Sequence, residues 1–358
     1  MQVNPSWNLL LFLLARLTCS PLPMPPDPSQ NKYVGAEKCA GCHPDVSFIQ
    51  KASEHARTLR SAKAVPELQA ALPLRFSDQT NEIQYRLEQS SAGGLDLVAT
   101  QDQRTERFHL LWAFGAGRKG ITFVGRTDAG EYGQSRLSWY QKIKQLDLTT
   151  GTKKNARDPH EALADWLPPV RLQECFGCHV TLPEQFLPEA TVETLAGIQC
   201  ERCHGPGQEH IEAVTEGGRS DLAIENPGKL AAREQIRFCG GCHHQPPADF
   251  SQVLQDKKTI RFAPPRLVLS RCYDESKGQL KCTTCHNTHE NLATSAEYYD
   301  QKCRSCHTAE AGRGSPCPVA KKDCVSCHMP REPLMKHSDF ADHWIRVLPR
   351  TSHKSGRP

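Results

Sequence analysis

Seven C-x-x-C-H motifs lie in a chain of 358 residues, six of them packed between positions 175 and 328. Between the first and second motifs runs a motif-free stretch of short alternating segments rich in β-branched and aromatic residues. These two observations predict a mainly α and irregular fold organised around covalently held haems. A small antiparallel β unit is expected as an insertion after the first motif.

The motifs carry the argument. Of 17 cysteines, 14 fall into the pairs Cys39/Cys42, Cys175/Cys178, Cys200/Cys203, Cys239/Cys242, Cys282/Cys285, Cys303/Cys306 and Cys324/Cys327. Each pair is followed at once by a histidine: His43, His179, His204, His243, His286, His307 and His328. C-x-x-C-H is the attachment signature of c-type haem. Two thiols add across the haem vinyl groups, and the adjacent histidine is held under the iron as its proximal ligand. Structural zinc, the main competing use of C-x-x-C, needs four ligands and no histidine after each pair. The expected cofactor is therefore seven covalently attached haem c groups with their iron, and the fold class is a multihaem cytochrome c fold.

In chain order, residues 1–23 suit a signal peptide. Leu9 to Leu14 form an apolar run of secretory length, too short for a typical membrane span, although no Lys or Arg precedes it. Cys19 leaves open a lipid or uncleaved anchor. Residues 24–34 read as a Pro-rich tether. Residues 35–73 hold the first haem motif and VSFIQKASEHARTLRSA, whose spacing predicts a helix with Phe48, Ala52, His55 and Leu59 on one face. The β-rich insertion is expected at 74–150, built from EIQYRLEQ, LDLVATQ, ERFHLLWAF, ITFVGR and QSRLSWY. In it, His109 reads as an ordinary strand residue and GAGRKG as a hairpin turn, because the glycines lack phosphate-loop spacing. Residues 151–347 form a six-haem domain, with helices leading into motifs at AAREQIRFCGGC and SAEYYDQKCRSC. Residues 348–358 are a tail.

Composition fits this reading. Hydrophobic residues are 38% and mean hydropathy is −0.57, polar for this length, so haem macrocycles are expected to supply missing core. The formal charge of +4 falls to about −3 once seven ferric haems bring their propionates. No basic field for nucleic acid survives, and none is expected as a partner. Haem c is attached outside the cytoplasm in bacteria, so the motifs and the leader agree on a periplasmic or exported protein. Membrane contact is expected only through an N-terminal anchor.

Nine histidines lie outside the motifs, which suggests mostly bis-histidine coordination. The candidate distal ligands are His55, His210, His289 and His343, then His337 and His160, then His244. His109 and His353 are weak candidates. Met329 adjoins a proximal histidine and Met335 is remote, so sites of lower potential than His/Met are expected. Cys272 and Cys317 are left over and could pair in an oxidising compartment.

YVGAEKCAGCH with SEHAR, then QCERCHGPGQEH, CTTCHNTH, DCVSCHMP and ADHWIRV, resembles the doubled-CXXCH multihaem cytochromes. That group is similar to the tetrahaem cytochrome of the hydroxylamine-oxidation pathway. The resemblance runs over roughly residues 31–347 and implies distal roles for His210, His289 and His55. Many relatives carry C-terminal helical repeats, which are missing here.

The leading expectation is a periplasmic heptahaem carrier passing electrons between a donor and an acceptor protein, with no catalytic residue assigned. The alternative is a multihaem oxidoreductase acting on a small nitrogen or sulfur compound at one open-coordination haem. Tyr273, Tyr298 and Tyr299 lie in the haem-rich part and leave a crosslinking tyrosine open. No C-x-x-C-K motif marks a catalytic haem.

Overall fold

The computed structural model describes residues 32–348 except 92, 183–195, 219–222 and 309–315. The expected signal peptide, most of the tether and nearly all of the tail lie outside the described residues.

The expectation of a mainly α and irregular fold carrying a small β unit is corrected. The dominant element is one antiparallel sheet. Seven strands follow each other as neighbours: β2 (Leu74–Asp78), β3 (Ile83–Gln89), β4 (Leu95–Gln101), β5 (Arg104–Phe114), β6 (Gly120–Arg126), β7 (Tyr132–Tyr140) and β8 (Gln145–Leu148). The end strands β2 and β8 come into contact, so this path curls almost into a barrel. Two short strands extend it: β1 (Leu59–Ser61) pairs with β5, and β9 (Ala164–Trp166) pairs with β7.

The sheet holds its own core instead of borrowing one from haem. Leu68, Ile83, Leu87, Leu97, Phe108, Ile121, Phe123 and Leu137 are almost wholly buried inside it. Beyond residue 182, only Ile198, Ala232, Ile236, Val253, Ile260 and Leu267 join the buried apolar set among the described residues. The modest average hydrophobicity conceals this uneven distribution. Two physical reasons hid the sheet's extent. Leu95 to Ala99 of β4 are buried on both faces, as is most of β7, so the alternation that marks a half-buried strand is lost there. Strands β1 and β9 have three residues each, too few to show a period.

Local details follow from side-chain chemistry. GAGRKG is the β5–β6 turn, with Gly115 and Gly117 at φ 103° and 84°, a region that favours glycine. His109 on β5 bridges two carboxylates, Asp96 Oδ1 and Asp128 Oδ1, each at 2.8 Å. The helix expected through His55 instead stops at Lys51, and the chain turns through Ser53, whose hydroxyl accepts the Ala56 N–H at 3.1 Å. His55 therefore sits in a turn, free of helical periodicity. The helix expected over SAEYYDQKCRSC is also shorter than its sequence suggested. It ends at Arg304, so it carries Cys303 but not Cys306.

A second cluster of Leu59, Trp112, Val124, Leu172, Phe176 and Val180 ties the sheet to the helix Pro169–Gly177 that carries the start of the second motif. The other motifs begin on helices or single helical turns: Ala36–Cys42, Cys200–His204, Ala232–His243, Cys282–Cys285, Ala296–Arg304 and Cys324–His328. A two-stranded hairpin, β10 (Arg331–Met335) with β11 (Ser338–Ala341), follows the last of these. No described helix is long and apolar enough to cross a membrane.

Candidate haem sites

Five motifs have both cysteines inside a helix or helical turn, which puts the thiols three residues apart on one face with the histidine next in line. The second and sixth motifs differ. Cys178 caps the helix Pro169–Gly177, and Cys306 lies in a turn beyond the end of Ala296–Arg304. The spacing survives at Cys306 because its N–H donates to Cys303 O at 3.2 Å, a tighter bond that replaces the helical one. Its thiol sits among those of Cys272 and Cys285, whose pKa values it helps burial to raise. Similar backbone bonds close the turn at the histidines: the His43, His286 and His307 N–H groups donate to the carbonyls of Cys39, Cys282 and Cys303 at 2.9, 3.0 and 3.0 Å. None of the fourteen motif cysteines is buried outright. Cys272 and Cys317 are not bonded to each other in this structure.

Motifs meet in space in an order different from their order in the chain. Thiols of different motifs lie close enough to shift each other's pKa: Cys39 and Cys200, Cys178 and Cys242, Cys239 and Cys282, and Cys303 and Cys324. The first pairing draws the Cys200 thiol down to about 7, while burial pushes the Cys203 thiol up to about 11. Buried polar side chains fasten the same neighbours. Glu201, inside the third motif, accepts the backbone N–H groups of Val34, Gly35 and Gly207 at 2.9, 2.8 and 2.8 Å. Gln235 Oε1 accepts from Thr283 N at 3.0 Å, joining the fourth motif to the fifth. Asp300 accepts from Asp323 N and Cys324 N at 2.7 and 2.8 Å, joining the sixth to the seventh. Sequence reasoning missed all three, because a polar residue inside or before a motif looks solvated until the neighbouring motif is placed against it.

Eight of the histidines fall into two chemical groups. In one, Nδ1 donates to a backbone carbonyl, which leaves Nε2 unprotonated and available to a metal. His55 donates to Thr288 O at 3.2 Å, His204 to Glu225 O at 2.7 Å, and His179 to Thr58 O at 3.0 Å. His328 donates to Arg346 O at 3.0 Å and His343 to Ala341 O at 3.2 Å. In the other group Nε2 itself is committed to a carboxylate: His109 to Asp128, His160 to Glu131 at 3.0 Å, and His337 to Asp147 at 2.8 Å. His160 also stacks on Trp166 and His337 packs edge-on against Tyr140. His160 and His337 thus face carboxylates and aromatic rings of the sheet, whereas three other candidates face a motif histidine.

Those three pairs are His55 with His243, His204 with His289, and His286 with His343, with ring centres 6.2, 6.0 and 6.3 Å apart. Two imidazoles bound from opposite sides of one metal ion, with bonds of about 2 Å and about 1.1 Å from nitrogen to ring centre, would be about 6.2 Å apart. The gap is thus the width of a single bis-histidine iron. Burial depresses the pKa of His243, and His55 and other nearby imidazoles add to the effect. His286 falls to about 4 through burial and the neighbouring His343, and burial lowers His289 and His343 as well. Neutral imidazole is the form that binds a metal.

Glycine at 197 makes the first pair possible. Its φ is +75°, and a Cβ there would lie 1.9 Å from the Ala56 carbonyl oxygen. The Ile198 N–H then donates to His55 O at 3.0 Å, which holds the His55 turn beside the third motif. His210 lies in the first turn of the helix Gln208–Thr215, and His244 sits at φ +65° with its ring 3.6 Å from that of Phe262. Tyr299 packs edge-on near His286 and donates its hydroxyl to Ala293 O at 3.1 Å. Met335 sulfur contacts Arg261.

The residues fit covalent haem on a further count. Exposed apolar side chains lie close in sequence to the motifs and paired histidines: Phe48 is 81% exposed, and Phe238 and Leu292 are 38% and 43% exposed. Such side chains are what a macrocycle would cover.

Among known families, the one described as cytochrome c554 and c-prime matches residues 134–205. That stretch runs from β7 through the second and third motifs. Among solved structures, the crystal structure of outer cell wall cytochrome OcwA is similar over 88% of this chain and 80% of that chain, at 18% identity and a TM-score of 0.48. No curated protein matches. The family match, together with the motifs outside it, supports an electron-transfer c-type multihaem cytochrome with covalently bound haem iron. Such a protein exchanges electrons with redox partners.

Proposed function

We propose that the chain is an exported, periplasmic cytochrome that binds seven haem c groups and passes electrons between a donor and an acceptor protein. The observation that carries this is the trio of imidazole pairs with ring centres 6.0–6.3 Å apart, each pair containing one motif histidine. When bound, haem iron supplies the one-electron redox centre. The chain's residues do the rest. The fourteen motif cysteines hold the groups covalently, and His43, His179, His204, His243, His286, His307 and His328 are the proximal ligands. His289 is the distal partner of His204, His55 of His243, and His343 of His286. The thiol contacts imply the spatial order first–third, fourth–fifth and sixth–seventh, with the second motif branching from the fourth. Among the motif cysteines Cys42 and Cys327 are the exposed members, which favours docking of partner proteins beside the first and seventh motifs.

Haem content tests the proposal. Pyridine haemochrome and intact mass should report about seven haems per chain. A markedly smaller number would overturn it.

One observation favours a second reading alongside the first. Of nine histidines outside the motifs, three are paired with motif histidines and three have Nε2 on carboxylates, leaving His210, His244 and His353. Three histidines are too few for the four unassigned motifs, so at least one of the four irons would lack a second histidine. That position would admit a small nitrogen or sulfur compound. Nitrite or hydroxylamine added to the oxidised protein should perturb a high-spin signal. A wholly low-spin resting protein would remove this reading.

A further inference from the structure

Asp342, in the segment Ala341–Arg346, forms with Arg266 the most buried ion pair among the described residues, and electron transfer as described above makes no use of it. Asp342 is fully buried and Arg266 nearly so. Arg266 grips the carboxylate with two parallel bonds, Nε to Oδ1 at 2.9 Å and Nη2 to Oδ2 at 2.6 Å, and donates Nη1 to Val253 O at 3.0 Å. Arg346 adds a third bond, Nη1 to Oδ2 at 2.8 Å, and reaches Trp344 O at 2.7 Å. The Trp344 N–H donates to Oδ1 at 3.0 Å, and the indole lies 4.2 Å from the Arg346 guanidinium and 5.4 Å from that of Arg266. Both oxygens of the carboxylate are thus engaged, which is the condition for a buried charge to be held at all.

Two haem sites hang from this cluster. On one side, His343 follows Asp342 directly. Its Nδ1 donates to Ala341 O, its carbonyl accepts from Ser270 Oγ at 3.2 Å, and Ser270 Oγ in turn accepts from Ile345 N at 2.8 Å. Its ring then faces His286 across 6.3 Å. On the other side, the Arg346 carbonyl accepts from Nδ1 of His328, the histidine of the seventh motif, while Arg346 N donates to His328 O at 3.3 Å. A carbonyl that receives the Nδ1 proton sets both the ring orientation and the basicity of an axial histidine.

We propose that Asp342 is a positioning residue for two irons at once: it fixes the distal ligand His343 opposite His286 and, through Arg346, the carbonyl that orients His328. The proposal rests on the axial assignments given under Proposed function. A loosened clamp would alter both sites together, coupling the fifth and seventh motifs without direct contact between them.

The test uses the full-length holoprotein with its haem content checked. His343→Ala should convert about one haem equivalent from low to high spin in electron paramagnetic resonance. Asp342→Asn should reproduce that conversion, be restored to low spin by added imidazole, and also shift the midpoint potential of a second haem. Asp342→Glu should recover the parent spectrum in part. If Asp342→Asn fails to accumulate, Arg266→Lys, which keeps the charge but loses the two-pronged grip, decides by the same readouts. Unchanged spin states and potentials in these clamp variants, against a changed His343→Ala, would overturn the clamp. An unchanged His343→Ala would overturn the axial assignment and the clamp with it.

Discussion

The imidazole planes of His204 and His289 are 7° apart with their centres separated by 6.0 Å, whereas those of His55 and His243 are 71° apart at 6.2 Å. Aligned axial imidazoles interact with the same iron d orbital and lift its near-degeneracy. Crossed imidazoles split the interaction between two orbitals and leave them close in energy. Oxidised protein should therefore show both a rhombic low-spin signal and a strongly anisotropic one. His289→Ala should diminish the first by about one haem equivalent, and His55→Ala the second. His160→Ala and His337→Ala should leave both in place, because their Nε2 atoms serve Glu131 and Asp147. Loss of either low-spin signal in His160→Ala or His337→Ala would contradict this division of the histidines.

Glu201 fastens the approach to the first motif onto the third through three backbone N–H groups. In Glu201→Gln the amide nitrogen cannot accept, so at least one buried donor loses its partner, at a cost of about 1–3 kcal/mol. Denaturant unfolding followed by circular dichroism should show that loss. A midpoint equal to the parent's would mean that the contact contributes nothing.

Phe176, inside the second motif, is 1% exposed and packs edge-on against Trp112 at 5.1 Å and, tilted, against Phe114 at 5.2 Å. It is the apolar plug between the sheet and that motif. Phe176→Ala should destabilise the protein by about 3–5 kcal/mol, the transfer loss plus the cavity left behind. Thermal unfolding checks this, and a shift expected of a surface substitution would show that the plug is dispensable.

His109 gives the sheet a pH dependence. Burial disfavours its charged form, but its hydrogen bonds to Asp128 and Asp96 outweigh that and raise its pKa above the usual 6.5. A raised folded-state value means the contribution is fully present below 6.5 and is lost as pH climbs through the raised value. Since the imidazole is about a third exposed, solvent screening keeps the effect below about 1 kcal/mol. Urea midpoints read by tryptophan fluorescence should fall from about pH 6 to about pH 8 in the parent and be flatter in His109→Gln. Equal slopes would remove His109 as the cause.

The sequence by itself determined the cofactor chemistry. C-x-x-C-H is a local code: a single turn sets two thiols and an imidazole side by side whatever surrounds them, so Cys200, Cys203 and His204 were legible as a unit. Cys303, Cys306 and His307 were legible in the same way, although the helix that leads to them ends before the motif does. GAGRKG was legible as a turn for the same reason, since its conformation depends on its own glycines. Tertiary structure decided what depends on residues distant in the chain. His55 meets His243, and His343 meets His286, only after turns and clamps such as Gly197 and Asp342 bring them across the chain. His160 and His337 carry the same imidazole as His289, yet carboxylates of the sheet region occupy their Nε2 atoms. The sheet grew beyond its expected bounds because its central strands are buried on both faces, which erases the alternation by which a strand announces itself. A ligand's identity is written in its side chain, while its partner is written in the packing.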